Sequence, residues 1–245
     1  MRTWEFTARI GLCVVSAVWT LSCGSVTGQD ILPSNRFNVA DGDWDAGASW
    51  SETRVPTTDE IVAINSGTAR VSSSVGNVTT LGVRGGGILS VETGGSLTVE
   101  DQAIIGPGGT LRYSGGSLSA ENLVFTGNIS LDAAVAGDVS FGDSWEVATS
   151  ANIAGTPANI SLDGGTLDRG LALRYSATDT GAMVMASNEP ILVIDRATGN
   201  ASIENAIGGG LDLKGYTITG NTIGEGWNSL ADQGTSGWAE ANVTE

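Results

Sequence analysis

Asp41, Asp43, Asp45 and Glu52 are the residues whose types and spacing point most directly to chemistry. Carboxylates at positions 1, 3, 5 and 12 of a loop supply hard oxygen ligands in the pattern that holds Ca2+ in an EF-hand loop. Two features argue against that reading. The sixth position is Ala46, where the loop wants glycine, and neither flank carries a helical period. A possible Ca2+ on these four residues is the metal expectation, and no other cofactor is expected. Asp132, Asp138, Asp143 and Glu146 form a second acidic set, with Arg112 or Arg174 as a source of positive charge. Paired carboxylates can hydrolyse glycosides, but nothing here fixes two of them at a working separation, and such residues beside glycine suit turns. Trp227 and Trp238 lie in a polar tail and offer flat faces for sugar rings, or for packing across a sheet.

Most catalytic classes are excluded by what is missing. The chain has no histidine, which removes Ser-His-Asp and Cys-His nucleophiles and imidazole metal sites. Gly142-Asp143-Ser144 has the outline of a serine-esterase block, yet no base is present to activate Ser144, and a turn explains it. No glycine cluster precedes a helix, so the glycines read as corners and not as phosphate cradles. The expectation is a protein that is not an enzyme.

Charge narrows the partners. The formal net charge is −16 over 245 residues, with 11 basic residues in all. Such a surface repels phosphate backbones and anionic lipid, so nucleic acid is not an expected partner. Arg2 and Arg9 lead into an apolar run over residues 10–21, too short for a comfortable membrane span but suited to a secretory signal. Val26 and Gly28 stand where a signal peptidase wants small residues, placing the expected signal peptide at 1–28. Cys13 and Cys23 both precede that cut, so the mature chain is expected to have no thiol, disulfide or membrane span. Alternatively, Leu21-Ser22-Cys23-Gly24 could be a lipoprotein signal with Cys23 lipidated, although Thr20 stands where that motif normally has leucine.

The elements that must position these residues are strands. Glycine is 36 of 245 residues without the collagen period, and hydrophobic content of 40% is enough for a core. Residues 29–60 read as a lead-in and cap, in which Trp44 and Trp50 fold over the end of a hydrophobic stack. From 61 to 175 the repeated unit is a glycine pair, a small polar residue, then apolar-x-apolar. Examples are Gly94-Gly95-Ser96-Leu97-Thr98-Val99 and Gly108-Gly109-Thr110-Leu111-Arg112-Tyr113. Leu89 to Leu97 is eight residues and Leu111 to Leu118 is seven. Short alternating strands cornered at such intervals predict an all-β fold, a β-solenoid (β-helix-like) with Leu89, Leu97 and Leu111 inside; a β-sandwich is the rival. Short strands are expected at 103–105, 138–141 and 145–147 among others. Residues 176–188 read as a linker, and 189–245 as a partial β-sandwich-like module.

Three segments together resemble a known class. Gly42-Asp43-Trp44 to Trp50, with Val55-Pro56-Thr57-Thr58-Asp59, resembles the opening of secreted bacterial surface proteins with autotransporter-like β-solenoids. The repeat at 94–99 is similar to their coils. Leu192-Val193-Ile194-Asp195, Gly215-Tyr216-Thr217-Ile218 and Trp227-Asn228-Ser229-Leu230-Ala231-Asp232-Gln233 resemble a lamin-tail-like β-sandwich of the kind found before PEP-type C-terminal sorting tails. The end at Ala241-Asn242-Val243-Thr244-Glu245 lacks an apolar anchor and basic residues, so no sorting tail is expected. The resemblance implies a non-catalytic exported protein of the cell surface or extracellular matrix, structural or adhesive. The alternatives are an extracellular carbohydrate-binding module and, further off, a polysaccharide-active enzyme. Expected partners are extracellular polysaccharide or other surface proteins.

Overall fold

The computed structural model describes residues 32–194 and 201–207, all within one compact unit, Val26–Gly209. The described chain is predominantly β, built on parallel sheets. In chain order the first strands are β1 (Asn35–Arg36), β2 (Asp41–Asp43), β3 (Ile61–Ile64), β4 (Thr68–Val71), β5 (Val78–Val83) and β6 (Ile88–Glu92). They are followed by β7 (Ser96–Ile105), β8 (Thr110–Ser114), β9 (Ser117–Phe125), β10 (Asn128–Asp132), β11 (Ser144–Gly155) and β12 (Asn159–Asp163). The strands alternate between two sheets. β1, β3, β5, β7, β9 and β11 lie side by side in one, and β2, β4, β6, β8, β10 and β12 in the other. Within these two series the pairs are parallel, so each strand bonds to the strand two ahead of it in sequence.

Register turns the alternation of the sequence into apolar columns. Ala69, Leu89, Leu111 and Ile129 are in register in the second sheet. Leu81, Ala103 and Leu123 are in register in the first. All seven are fully buried, and residues of both sheets share one hydrophobic core. Leu89, Leu97 and Leu111 are inside, at 0%, 1% and 0% exposure.

The two members of a glycine pair have different tasks. Gly94 takes φ 84° and Gly108 φ 71°, the left-handed region that side chains resist. Their followers permit close approach of backbone: a Cβ on Gly95 would lie 1.9 Å from the Val71 carbonyl oxygen, and one on Gly109 2.1 Å from that of Val83. The first glycine turns the chain and the second lets it nest on the layer before it. One corner has no glycine. In β7 the register with β9 shifts between Val99 and Gln102, leaving Glu100 and Asp101 as an exposed bulge within a single strand. The strand expected at 103–105 is therefore the second half of β7.

Two expectations are corrected. The segment 176–188, expected as a linker, is largely strand. Strands β13 (Leu171–Ala177) and β14 (Gly181–Asn188) form an antiparallel hairpin whose β14 also pairs with β11, ending the first sheet. Ala182, Val184 and Ala186 alternate inward and are buried; their small size makes a strand look like a spacer. Residues 138–141 are not a strand. A one-turn helix, Ala133–Ala136, is capped by the Asp132 side chain, and the following loop closes locally, with the Ser140 amide donating to Asp143. Phe141 is left 49% exposed. Of the module expected at 189–245, the described part is the hairpin β15 (Ile191–Ile194) with β16 (Ala201–Glu204). Among the described residues no helix is long and apolar enough to cross a membrane.

Candidate functional site

Asp41 and Asp43 fall in β2, where alternate residues point to one side. Arg70, opposite Asp43 in β4, pairs with both: it bonds the Asp41 carboxylate and places its Nε 3.3 Å from Asp43. Asp45 instead accepts from the Ser73 hydroxyl at 3.3 Å, and Glu52 is exposed beyond the short 3-10 turn Gly47–Ser49. A calcium loop would curl these carboxylates round one point; here a strand sets the first two in a row against a cation. No group of three or more His, Cys, Asp or Glu side chains is placed to hold a metal among the described residues. The four calcium candidates thus do not come together.

The same segment has a carboxylate that sequence reasoning passed over. Glu60 is 5% exposed. It accepts from both guanidinium nitrogens of Arg54, at 2.9 and 2.7 Å, and from the Thr57 amide at 2.7 Å. Burial pushes its carboxyl up, but the Arg54 hydrogen bonds, the Thr57 amide, the Arg54 charge and Asn35 together hold it below the usual glutamate value. This clasp ties residues 54–60 to β3. Earlier in the same segment, Trp44 and Trp50 are buried and meet edge to face at 4.8 Å, with Phe37 on Trp50 at 5.3 Å. The Trp50 indole donates to the Trp44 carbonyl at 2.8 Å.

In the second acidic set, Asp132 and Asp143 are each engaged by local partners. Asp132 accepts from the Ser114 hydroxyl and the Ala134 amide, and Asp143 from the Ser140 amide. Arg112 pairs with Asp163, and Arg174 with Glu189. Asp138 lies in the loop after the helix, and Glu146 in β11, its carboxylate beside Gly181. Ser144 opens β11 and is exposed. Trp227 and Trp238 lie outside the described residues.

Among the grooves of the described residues, two could seat a ligand. One, of about 580 Å³, follows the corner of β7, β9 and β11 and is acidic, lined by Glu100, Glu121 and Asp179 with Ser150 and Thr180. The other, of about 390 Å³, lies on the outer face of the first sheet, across β1, β3, β5 and β7. Its floor is the row Ala63, Gly82 and Ile104, in register on successive strands. That row faces away from the core, since the residues on either side of it in sequence, Val62, Ile64, Leu81 and Val83, fill the core. A Cβ on Gly82 would meet nothing nearer than 3.9 Å, so backbone packing does not require this glycine; its missing side chain deepens the groove. Arg36 stands in the same row, opposite Ala63, and Arg84 lies two residues beyond Gly82, its amide bonded to the Ile64 carbonyl next to Asn65. The Arg84 stem runs where a Cβ of Gly106 would be, its Cγ 2.8 Å from that position, so the next layer shapes the arginine's path.

No family model, curated protein or solved structure matches this chain.

Proposed function

We propose that this is a non-catalytic exported protein of the cell surface or extracellular matrix, in which the parallel strands through β12 wind as a β-solenoid that serves as a rigid spacer. The observation that carries the reading is the pairing of each parallel strand with the strand two ahead of it, layer on layer, through β12. A chain that stacks in this way grows along one axis and holds its ends apart, since each layer rests only on its neighbours. Paired glycines at successive corners support the same winding. Export rests on the basic, then apolar, then small-residue order of residues 1–28. A surface rich in acidic residues, on a net charge of −16, suits solubility outside the cell. A structural role is further supported by Asp41, Asp43, Asp45, Asp132 and Asp143, whose carboxylates are bonded by an arginine, amides and hydroxyls of the frame.

The test is fractionation of cells expressing the full chain, followed by incubation of the purified protein with polysaccharides and a reducing-sugar assay. Recovery from the medium or cell surface, with a shortened N-terminus and no turnover, is expected. Retention in the cytoplasm with an intact N-terminus would remove the export half of the proposal, and turnover would remove the other half.

A further inference from the structure

In a molecule this acidic, an arginine without a carboxylate is unusual, and two of them share one groove. Arg54, Arg70, Arg112, Arg169 and Arg174 each form an ion pair. Among the described residues, Arg36 and Arg84 are the arginines with no ion pair, and both line the groove on the outer face of the first sheet. We infer that this groove binds a short carboxylate-bearing oligosaccharide, of the uronic-acid class, with ligand carboxylates at Arg36 and Arg84.

The geometry favours a linear ligand with spaced charges. From β1 to β5 is two strand spacings, and Gly82 to Arg84 is two residues, which sets the two arginine Cα atoms about 12 Å apart. A ligand with acidic groups along its length can engage both guanidiniums at once, one carboxylate to each. A planar guanidinium takes a carboxylate in a two-point fork, which a hydrated surface salt does not offer. Ala63 and Gly82, with Ile104 on the next strand, make an apolar floor for the C–H face of a sugar ring, and Asn65 supplies a side-chain partner for hydroxyls, with the largely buried Thr80 behind it.

The place in the sheet argues against an extended peptide. Peptides that bind sheets add to an open edge and use its backbone groups. This groove lies on the sheet face: β3 and β5 are bonded by neighbours on both sides, and at the edge strand β1 the amide and carbonyl of Arg36 already bond Ser51. Recognition here must come from side chains, which suits a ligand carrying its own carboxylates and hydroxyls. The net charge of −16 repels a long polyanion and limits the fit to a short stretch. The inference stands on the groove alone and does not need the protein to be exported or to act as a spacer.

Calorimetric titration of the full protein with alginate oligomers, their carboxyl-reduced counterparts and oligoglutamate tests it. The alginate oligomers are expected to bind and the reduced ones not. Arg36→Gln and Arg84→Gln should each weaken binding about tenfold or more, as loss of a charge-assisted bond does. Gly82→Leu, which puts a side chain over the floor, should abolish it, while Arg174→Gln on a different cation should leave it unchanged. Circular dichroism of each variant separates lost binding from lost fold. Absence of alginate binding to the wild type, or binding that survives both arginine substitutions, overturns the inference. Oligoglutamate binding through the same arginines, in place of alginate, would overturn the ligand class.

Discussion

Gly95 and Gly76 predict opposite outcomes for the same substitution. A Cβ on Gly95 would lie 1.9 Å from the Val71 carbonyl oxygen, a contact with backbone that no rotamer can relieve. Gly95→Ala should cost about 1–3 kcal/mol as the corner is forced off the layer below. At Gly76 a Cβ meets nothing within 4 Å and φ is not positive. Gly76→Ala should stabilise by about 0.4–1 kcal/mol, since it restricts the unfolded chain. Urea denaturation of both variants checks the pair, and equal effects would show that the corners tolerate side chains. Glu60 carries the second prediction at this scale. Its carboxyl is held below the unfolded value, so its contribution is complete above the ordinary glutamate pKa of about 4.3 and is lost as pH falls through the folded one. Glu60→Gln should cost about 1–3 kcal/mol at neutral pH, chiefly through the buried hydrogen bonds. The gap from wild type should close on acidification below the ordinary glutamate value, read by thermal melts across that range. A gap independent of pH would mean that shape, not charge, makes the clasp.

Among the elements, the β13–β14 hairpin has the clearest separable task. The parallel strands of the first sheet would otherwise end with part of β11 unpaired, and an open strand edge invites another chain. β14 covers β11 from Ser144 to Thr149. Val184, fully buried, is the residue that seats it on the core. Val184→Asp buries an unpaired carboxylate and should release the hairpin, with concentration-dependent oligomers in light scattering and a loss of several kcal/mol. A variant that stays monomeric at high concentration would show that β11 has other protection. The hairpin also shows what sequence pattern conceals. Its inward row includes Ala182 and Ala186 rather than large residues, and alanine signals a strand poorly. Val139 and Phe141 erred in the other direction: their alternation is overridden by local hydrogen bonds around Asp143. The glycine pairs mark corners reliably, but not how many corners make one turn of chain. Leu89 stacks on Leu111, with Leu97 in the other sheet between them in sequence, and the glycine-free bulge at Glu100 and Asp101 gives no compositional sign. The candidate groove was less legible still. Arg36 and Arg84 are ordinary residues in the sequence; only register brings them to one face, and only the ion pairs made elsewhere show that these two are unspent.

At the scale of the molecule, the question is whether the layers are repeated units or parts of a closed core. Residues 88–109 contain β6, the Gly94–Gly95 corner, β7 and the next glycine corner. Ile88 is in register with Thr110, and the residues preceding them, Gly87 and Gly109, both press against backbone of the layer before. A second copy of 88–109 inserted after Gly109 therefore meets the same neighbours at both joins. If the proposed winding is right, each sheet gains one strand, the new Leu89 and Ala103 enter the existing columns, and the stack lengthens by about 4.8 Å. Stability should hold or rise, because each added layer contributes another interface of the same kind. Small-angle scattering reads the length and denaturation reads the stability. In a closed sandwich the same insertion has no strand edge to join and would spill as a disordered loop, with protease sensitivity confined to it. Extension of the particle without such a loop is the result that a spacer requires.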